Sequence, residues 1–468
     1  MDIAQKLQNC SRAELVSLVS RLHGIHADTD VIIEACLASA GEAGALSDEV
    51  DRIKQHLDSI IFEHDFVDYR HAASFAHRLD ALLCSACDAL GEQDPKAALG
   101  LVEYFLSLAE QVFGGADDSG GDIGMLFREA VELWLQLAVA VREREQGEKT
   151  DWGAKVVSLF NSNEYGCFDD LIAHSGELLT EQELTQLAWR FENDVRVALR
   201  DEPESGVCNE KAFHACIALG EVARALGDMG MYERSVLLQA PEPNALQMAD
   251  IVLFAMSVDD FERARYWLDR PGWQNHRGEH SRLVNRLLER QGDVAGLKEN
   301  LLHAFFEQLD NYSLEAYWKL AASDEKVALK PRVAVLAQQT DELWQVVGML
   351  LTVEDITLAA QLLIERADQL NRQHYTCLTQ WSDAFEAAGQ PLATILCYRA
   401  LLSDILDSGR SQAYRHAARY FHKLLELDRQ QPDYRAFDTA QQYIRQLQNA
   451  HWRKRSFWRE ADYPNKAN

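Results

Sequence analysis

Apolar residues recur along this chain at helical spacing, and the recurrence is interrupted at a near-constant interval. After Asp293, residues Val294, Leu297, Leu301 and Phe305 fall on one stripe of a helix, while Lys298, Glu299 and Gln308 fall elsewhere. After Asp355, residues Ile356, Ala359, Leu363 and Ala367 repeat the arrangement. Six dipeptides each close one such stretch and open the next: Gly227-Asp228, Asp259-Asp260, Gly292-Asp293, Ser323-Asp324, Glu354-Asp355 and Gly389-Gln390. Measured at the second residue, the steps are 32, 33, 31, 31 and 35 residues. Glycine suits the left-handed position that ends a helix, and aspartate suits the N-cap of the next one. A small residue (Ala264, Gly296, Ala328, Ala359 or Ala393) follows most turns within three or four positions, which lets paired helices approach closely.

A period of this size predicts antiparallel helix hairpins stacked as an α-solenoid. Such a stack offers an extended surface rather than a pocket, so binding is its default function. The same grammar occurs once upstream, where Leu90-Gly91 and Asp94-Pro95 separate two predicted helices. The strongest break is the run Gly114-Gly115-Ala116-Asp117-Asp118-Ser119-Gly120-Gly121, read as a linker or loop. The expected organisation is therefore a helical domain over 1–113, a Gly/Asp-rich linker or loop over 114–124, a helical connection over 125–207, and tetratricopeptide-like repeats with a basic cap over 208–468.

Composition agrees with an all-α fold. Gly (25) and Pro (9) are scarce among 468 residues, and 47% apolar content supplies a core. The net charge of −28 argues against a nucleic-acid or anionic-membrane binder, because phosphates would be repelled. Nine cysteines lack the density of a disulfide framework. The start, Met1-Asp2-Ile3-Ala4-Gln5-Lys6, lacks the apolar core of a signal peptide, and the apolar stretch Leu133–Val141 is too short to span a bilayer. A reduced, cytoplasmic protein is the expectation. Charge is uneven, however: residues 410–459 hold eleven Lys/Arg against four Asp/Glu, a net of +7 that leaves −35 on the remainder.

Candidate chemistry is thin. His276-Arg277-Gly278-Glu279-His280 fits the H-x-x-E-H pattern of inverted zinc peptidases, yet Pro271-Gly272 and Gly278 place it in a loop entering a helix. Cys84-Ser85-Ala86-Cys87 has zinc or redox spacing, but it lies near a helix C-terminus and no second C-x-x-C exists, so two buried core thiols are expected. The glycine-rich run lacks the G-K-[ST] ending of a phosphate loop, and Asp117 and Asp118 would repel phosphate. Adjacent carboxylates such as Asp169-Asp170 are expected by chance at this acidity. Trp318, Trp344 and Trp381 read as core filling for helix pairs.

The C-terminal block is the most distinctive sequence. Tyr398-Arg399-Ala400-Leu401-Leu402, then Gly409 to Tyr420, then His451-Trp452-Arg453-Lys454-Arg455-Ser456-Phe457-Trp458 resembles the end of an uncharacterised bacterial helical-repeat family. That family is similar to the tetratricopeptide-like region found C-terminal to SWIM zinc fingers. The resemblance covers about 380–460 best and extends back to about 210. The SWIM metal-binding pattern is absent here, and the W-L-G-Y signature of true tetratricopeptide repeats does not recur, so no activity is carried over.

The expectation is a non-enzymatic protein-interaction module or scaffold with no cofactor and no bound metal. Its candidate partner contacts are Arg410, Tyr414, Arg415, His416, Arg419, Arg453, Lys454, Arg455 and Trp458. Two alternatives are an acidic regulator, antitoxin-like or mimicking nucleic acid, that occupies a partner's basic site, and a zinc hydrolase built on His276, Glu279 and His280.

Overall fold

The computed structural model describes residues 6–7, 9–25, 29–30, 33, 43–62, 66–91, 94–146, 149–201 and 209–465. Most of the segment read against a signal peptide, and the boundary expected at 207/208, lie outside these residues. Among the described residues the regular structure is helical and no strand forms. An isolated bridge pairs Val67 with Ala116. The all-α expectation therefore holds. Contacts divide the chain into two compact units, Met1–Gly272 and Trp273–Asn468, a different cut from the one composition suggested.

The first unit contains α1 (Arg12–Leu22), α2 (Ala43–Phe62), α3 (Tyr69–Gly91), α4 (Pro95–Ser107), α5 (Ala109–Gly114), α6 (Asp122–Arg144), α7 (Trp152–Asn161), α8 (Glu181–Asp201), α9 (Glu210–Leu226), α10 (Met229–Gln239), α11 (Ala245–Ser257) and α12 (Phe261–Leu268). Helices α2, α3, α4 and α6 pack together, and α8, α9 and α10 pack in succession. Buried aromatics fill the first group, with Phe105 stacked on Phe127 at 4.8 Å. The Gly/Asp-rich run is an ordered loop inside this unit. Val67 donates to the Gly115 carbonyl and accepts from Asp117, both at 2.9 Å, and the Asp118 carboxylate caps α6 through the Ile123 and Gly124 N–H groups.

The second unit contains α13 (Arg277–Gln291), α14 (Val294–Gln308), α15 (Asn311–Leu320), α16 (Ser323–Gln339), α17 (Leu343–Thr352), α18 (Ile356–Glu365), α19 (Tyr375–Ala387), α20 (Pro391–Asp407), α21 (Tyr414–Asp428), α22 (Ala440–His451) and α23 (Arg455–Glu460). Its core is one continuous cluster running from Leu288 to Ala461. Trp318 and Trp381 belong to it, whereas Trp344 is 47% exposed.

Five of the six periodic turns share one geometry. Gly227, Asp259, Gly292, Glu354 and Gly389 all take positive φ between 58° and 68°. The next residue donates its N–H back to a carbonyl five residues earlier: Asp228 to Ala223, Asp260 to Ala255, Asp293 to Leu288, Asp355 to Leu350 and Gln390 to Phe385, each at 2.9 Å. This bond closes the finished helix. The same aspartate then opens its successor, its carboxylate accepting from the N–H of Met231, Arg263, Gly296 or Leu358. One residue thus ends a helix with its backbone and begins another with its side chain. Gln390 makes no such side-chain bond and is followed by Pro391 at the first helical position.

The Ser323-Asp324 turn differs. Ala321 and Ala322 are both extended, and Asp324 lies inside the first turn of α16 without a capping bond. Helix α15 packs on α14 and α17, and α16 packs on α17. Ala264, Ala359 and Ala393 are buried as their spacing predicts, but Ala328 is exposed. Beside it Val327 and Val335 are 72% and 55% exposed. Helix α16 still meets α15 through Lys326 and Lys330, whose amines lie 5.1 and 5.8 Å from the Trp318 ring, but no left-handed residue makes the turn between them.

Candidate functional site

The basic C-terminal block folds around Phe421. Helix α21 buries Ala417, Ala418, Phe421 and Leu424 along one side. Phe421 then meets Phe457 at 6.2 Å, Trp458 at 5.9 Å and Tyr463 at 5.1 Å, all edge-on. Packing three buried rings with the partly buried Tyr463 holds the six-residue α23 in place. Trp458 is 2% exposed and donates its indole N–H to the His451 carbonyl at 2.9 Å. Tyr414 is buried as well, edge-on to Phe457 at 6.1 Å. These two residues, read from sequence as partner contacts, are interior. The pull of the Phe421 cluster is the reason.

The cations divide into two sets. Arg410 pairs with Asp404. Lys423 pairs with Glu386 at 2.5 Å, and Tyr398 donates to the same carboxylate at 2.9 Å. That contact holds Lys423 above its ordinary range and Glu386 below its own. Lys454 lies half-buried, its Nζ 3.5 Å from the Tyr414 hydroxyl. Arg415, His416, Arg419, Arg453, Arg455 and Arg459 are all exposed. Among the described residues none of these five arginines reaches a carboxylate within the 4.0 Å of an ion pair. Arg419 lies over the Tyr420 ring and Arg453 over the Trp452 ring, at 5.3 and 5.1 Å. On α21, Arg415 and Arg419 share an outward face, and His422 on that side donates to the Ala461 carbonyl at 2.8 Å. The two arginine-bearing segments are therefore joined at one end of the unit.

Sequence reasoning passed over Arg399. Its half-buried guanidinium lies over Tyr443 at 4.4 Å and Tyr434 at 5.4 Å and donates to the Asp438 carbonyl at 2.9 Å. It fastens the 430s loop that precedes α22.

The other candidates are scattered. His276 precedes α13 and makes no side-chain capping bond. Glu279 pairs with Arg282, and the His280 ring lies 5.2 Å from Trp273. Among the described residues no group of three or more His, Cys, Asp or Glu is arranged to hold a metal ion. Cys87 is buried, but Cys84 is exposed, which corrects the expectation of two core thiols. Cys84 follows Leu83 directly, and the helical turn of about 100° per residue carries it past the edge of the buried stripe of Leu79, Leu82, Leu83, Ala86 and Cys87. Partial desolvation and the Asp80 carboxylate push its thiol up to about 12, far from the range of a reactive cysteine.

Two features of the first unit had no sequence signal. One is a cavity of about 560 Å³ lined by Glu103, Glu110, Glu164, Trp134 and Lys155, in which Lys155 and the Trp134 indole both donate to Glu103. The other is Glu221, whose side chain is 13% exposed and pairs with Arg224 at 3.3 Å. Burial, reinforced by Asp170 and Asp169, raises it to about 7 against the pull of Arg224. The pair dismissed as coincidence thus acts on a buried carboxylate.

Fold and surface together define an all-helical protein whose C-terminal end carries unneutralised arginines on an aromatic base. The chain belongs to the family of unknown function DUF6880, whose model matches residues 4–460. No curated protein and no solved structure matches it. No helix among the described residues is long and apolar enough to cross a membrane.

Proposed function

We propose that the chain is a non-catalytic, cytoplasmic interaction module, an α-solenoid of tetratricopeptide-like helix pairs that holds a protein partner at its basic C-terminal end. The repeated turn geometry at 228, 260, 293, 355 and 390 supports the helix-pair reading. One observation carries the function. Among the described residues five exposed arginines stand without a carboxylate partner, in a chain that holds 74 Asp and Glu. Internal pairing is the cheapest way to neutralise a surface cation, and Arg410 and Lys423 use it. Arginines left out of such pairing, and backed by rigid aromatics, have the composition of a contact patch. The overall charge of −28 favours a protein over a nucleic acid as the partner.

The test is affinity capture from the native host with quantitative mass spectrometry, comparing the natural chain with an Arg415→Glu/Arg419→Glu variant. A partner captured by the former and lost by the latter is the expected result. Identical captured sets would refute the reading.

A further inference from the structure

Arg455 and Arg459 lie one turn apart on α23 and line the same depression, a space of about 440 Å³ bounded also by Trp458, Asp462 and Tyr463. Its walls are fixed. Asp462 takes a left-handed conformation, φ 46°, which turns the chain back so that the Tyr463 N–H reaches the Trp458 carbonyl at 3.2 Å. The Tyr463 ring then packs on Phe421. Beyond it, Gln448 donates to the Pro464 carbonyl at 2.8 Å and Asn465 donates to the Trp452 carbonyl at 3.3 Å. Nearly buried Trp458 and partly buried Tyr463 line it beside the two exposed guanidiniums. Asp462 shares the space but pairs with neither arginine.

We propose that this depression receives an acidic peptide segment of the protein partner, with separate Asp or Glu carboxylates meeting Arg455 and Arg459. This assignment rests on the interaction reading above and names the chemistry of what is bound. A guanidinium fork matches a carboxylate, and two forks one helical turn apart match two carboxylates spaced along a chain. A phosphate dianion fits less well. Phosphate sites gather backbone N–H donors from a helix start or nest around one point, whereas this depression offers two side chains spread along a helix.

The experiment measures fluorescence anisotropy of a fluorescein-labelled oligo-glutamate peptide titrated with the full chain at low ionic strength. Arg455→Gln/Arg459→Gln should weaken binding about tenfold, and added sodium chloride should weaken the natural chain toward the variant. Arg144→Gln/Arg200→Gln, which removes two exposed arginines elsewhere, should leave binding unchanged. Circular dichroism of each variant confirms folding. Equal peptide affinity for the natural chain and the Arg455/Arg459 variant overturns the assignment. So does displacement of the peptide by inorganic phosphate where chloride of the same ionic strength has no effect. Lost peptide dependence on Arg455 and Arg459, with partner capture still requiring Arg415 and Arg419, sinks the depression and spares the interaction reading. The reverse pattern supports the depression and sinks the reading at Arg415 and Arg419.

Discussion

Replacing Asp293 with alanine should destabilise the second unit more than replacing Asp324, although both aspartates occupy the same place in the sequence period. The Asp293 carboxylate accepts from the Gly296 N–H at 2.9 Å. Alanine leaves the Asp293 backbone bond to Leu288 in place and removes only this cap. A lost N-cap costs about 1 kcal/mol, within a range of roughly 0.5–2. For a unit the size of 273–468 that is a fall in midpoint temperature of about 2–4 °C. Asp324 makes no capping bond and contributes only its charge near a helix start, about 0.3–0.5 kcal/mol. Urea and thermal denaturation followed by circular dichroism measure the difference, with Asp293→Asn as the conservative control that keeps an acceptor. If Asp324→Ala costs as much as Asp293→Ala, the distinction between the two turns is wrong.

Two further outcomes follow from burial. The folded state raises Glu221 to about 7 from an ordinary value of 4.5, so it keeps a proton that the unfolded chain releases. Stability from this group is present below about 4.5 and is lost as pH rises through about 7. Glu221→Gln should therefore be more stable than the natural chain at pH 8 by about 1–3 kcal/mol, with the gain vanishing near pH 4; a gain that does not change with pH would contradict the assignment. Trp458→Ala should cost about 3–5 kcal/mol in urea denaturation, as expected of a buried indole, whereas Arg455→Ala should cost under about 0.5 kcal/mol. Equal costs would show that Trp458 is not a core residue.

Most of the turns were legible because their chemistry is local. A left-handed residue wants glycine and an N-cap wants aspartate, so Gly227-Asp228 and Gly292-Asp293 can be read directly. Asp259 and Glu354 take the left-handed position without being glycine, and only the aspartate that follows marks them. Ser323-Asp324 had the spacing but not the conformation, and the preceding Ala321-Ala322, neither suited to positive φ, was the available clue. At the C-terminal end the arginines were legible as charge. The burial of Tyr414 and Trp458 was not, because it depends on residues 457–463 folding back onto Phe421. Glu221 was hidden for the same reason: its raised affinity for a proton comes first from burial and then from Asp170 and Asp169, some fifty residues away in sequence. Charge and turn grammar are properties of short segments, whereas exposure belongs to the packed unit.

The claim that the C-terminal arginines face an external partner is tested most directly by the melting temperature of Arg415→Glu/Arg419→Glu, measured against the natural chain at low and high salt. The account predicts a stability within about 0.5 kcal/mol of the natural chain at both salt concentrations, because among the described residues no carboxylate lies within ion-pair distance of either arginine. A marked fall at low salt that narrows at high salt would mean that the chain's own acidic surface neutralises these residues, and would contradict it.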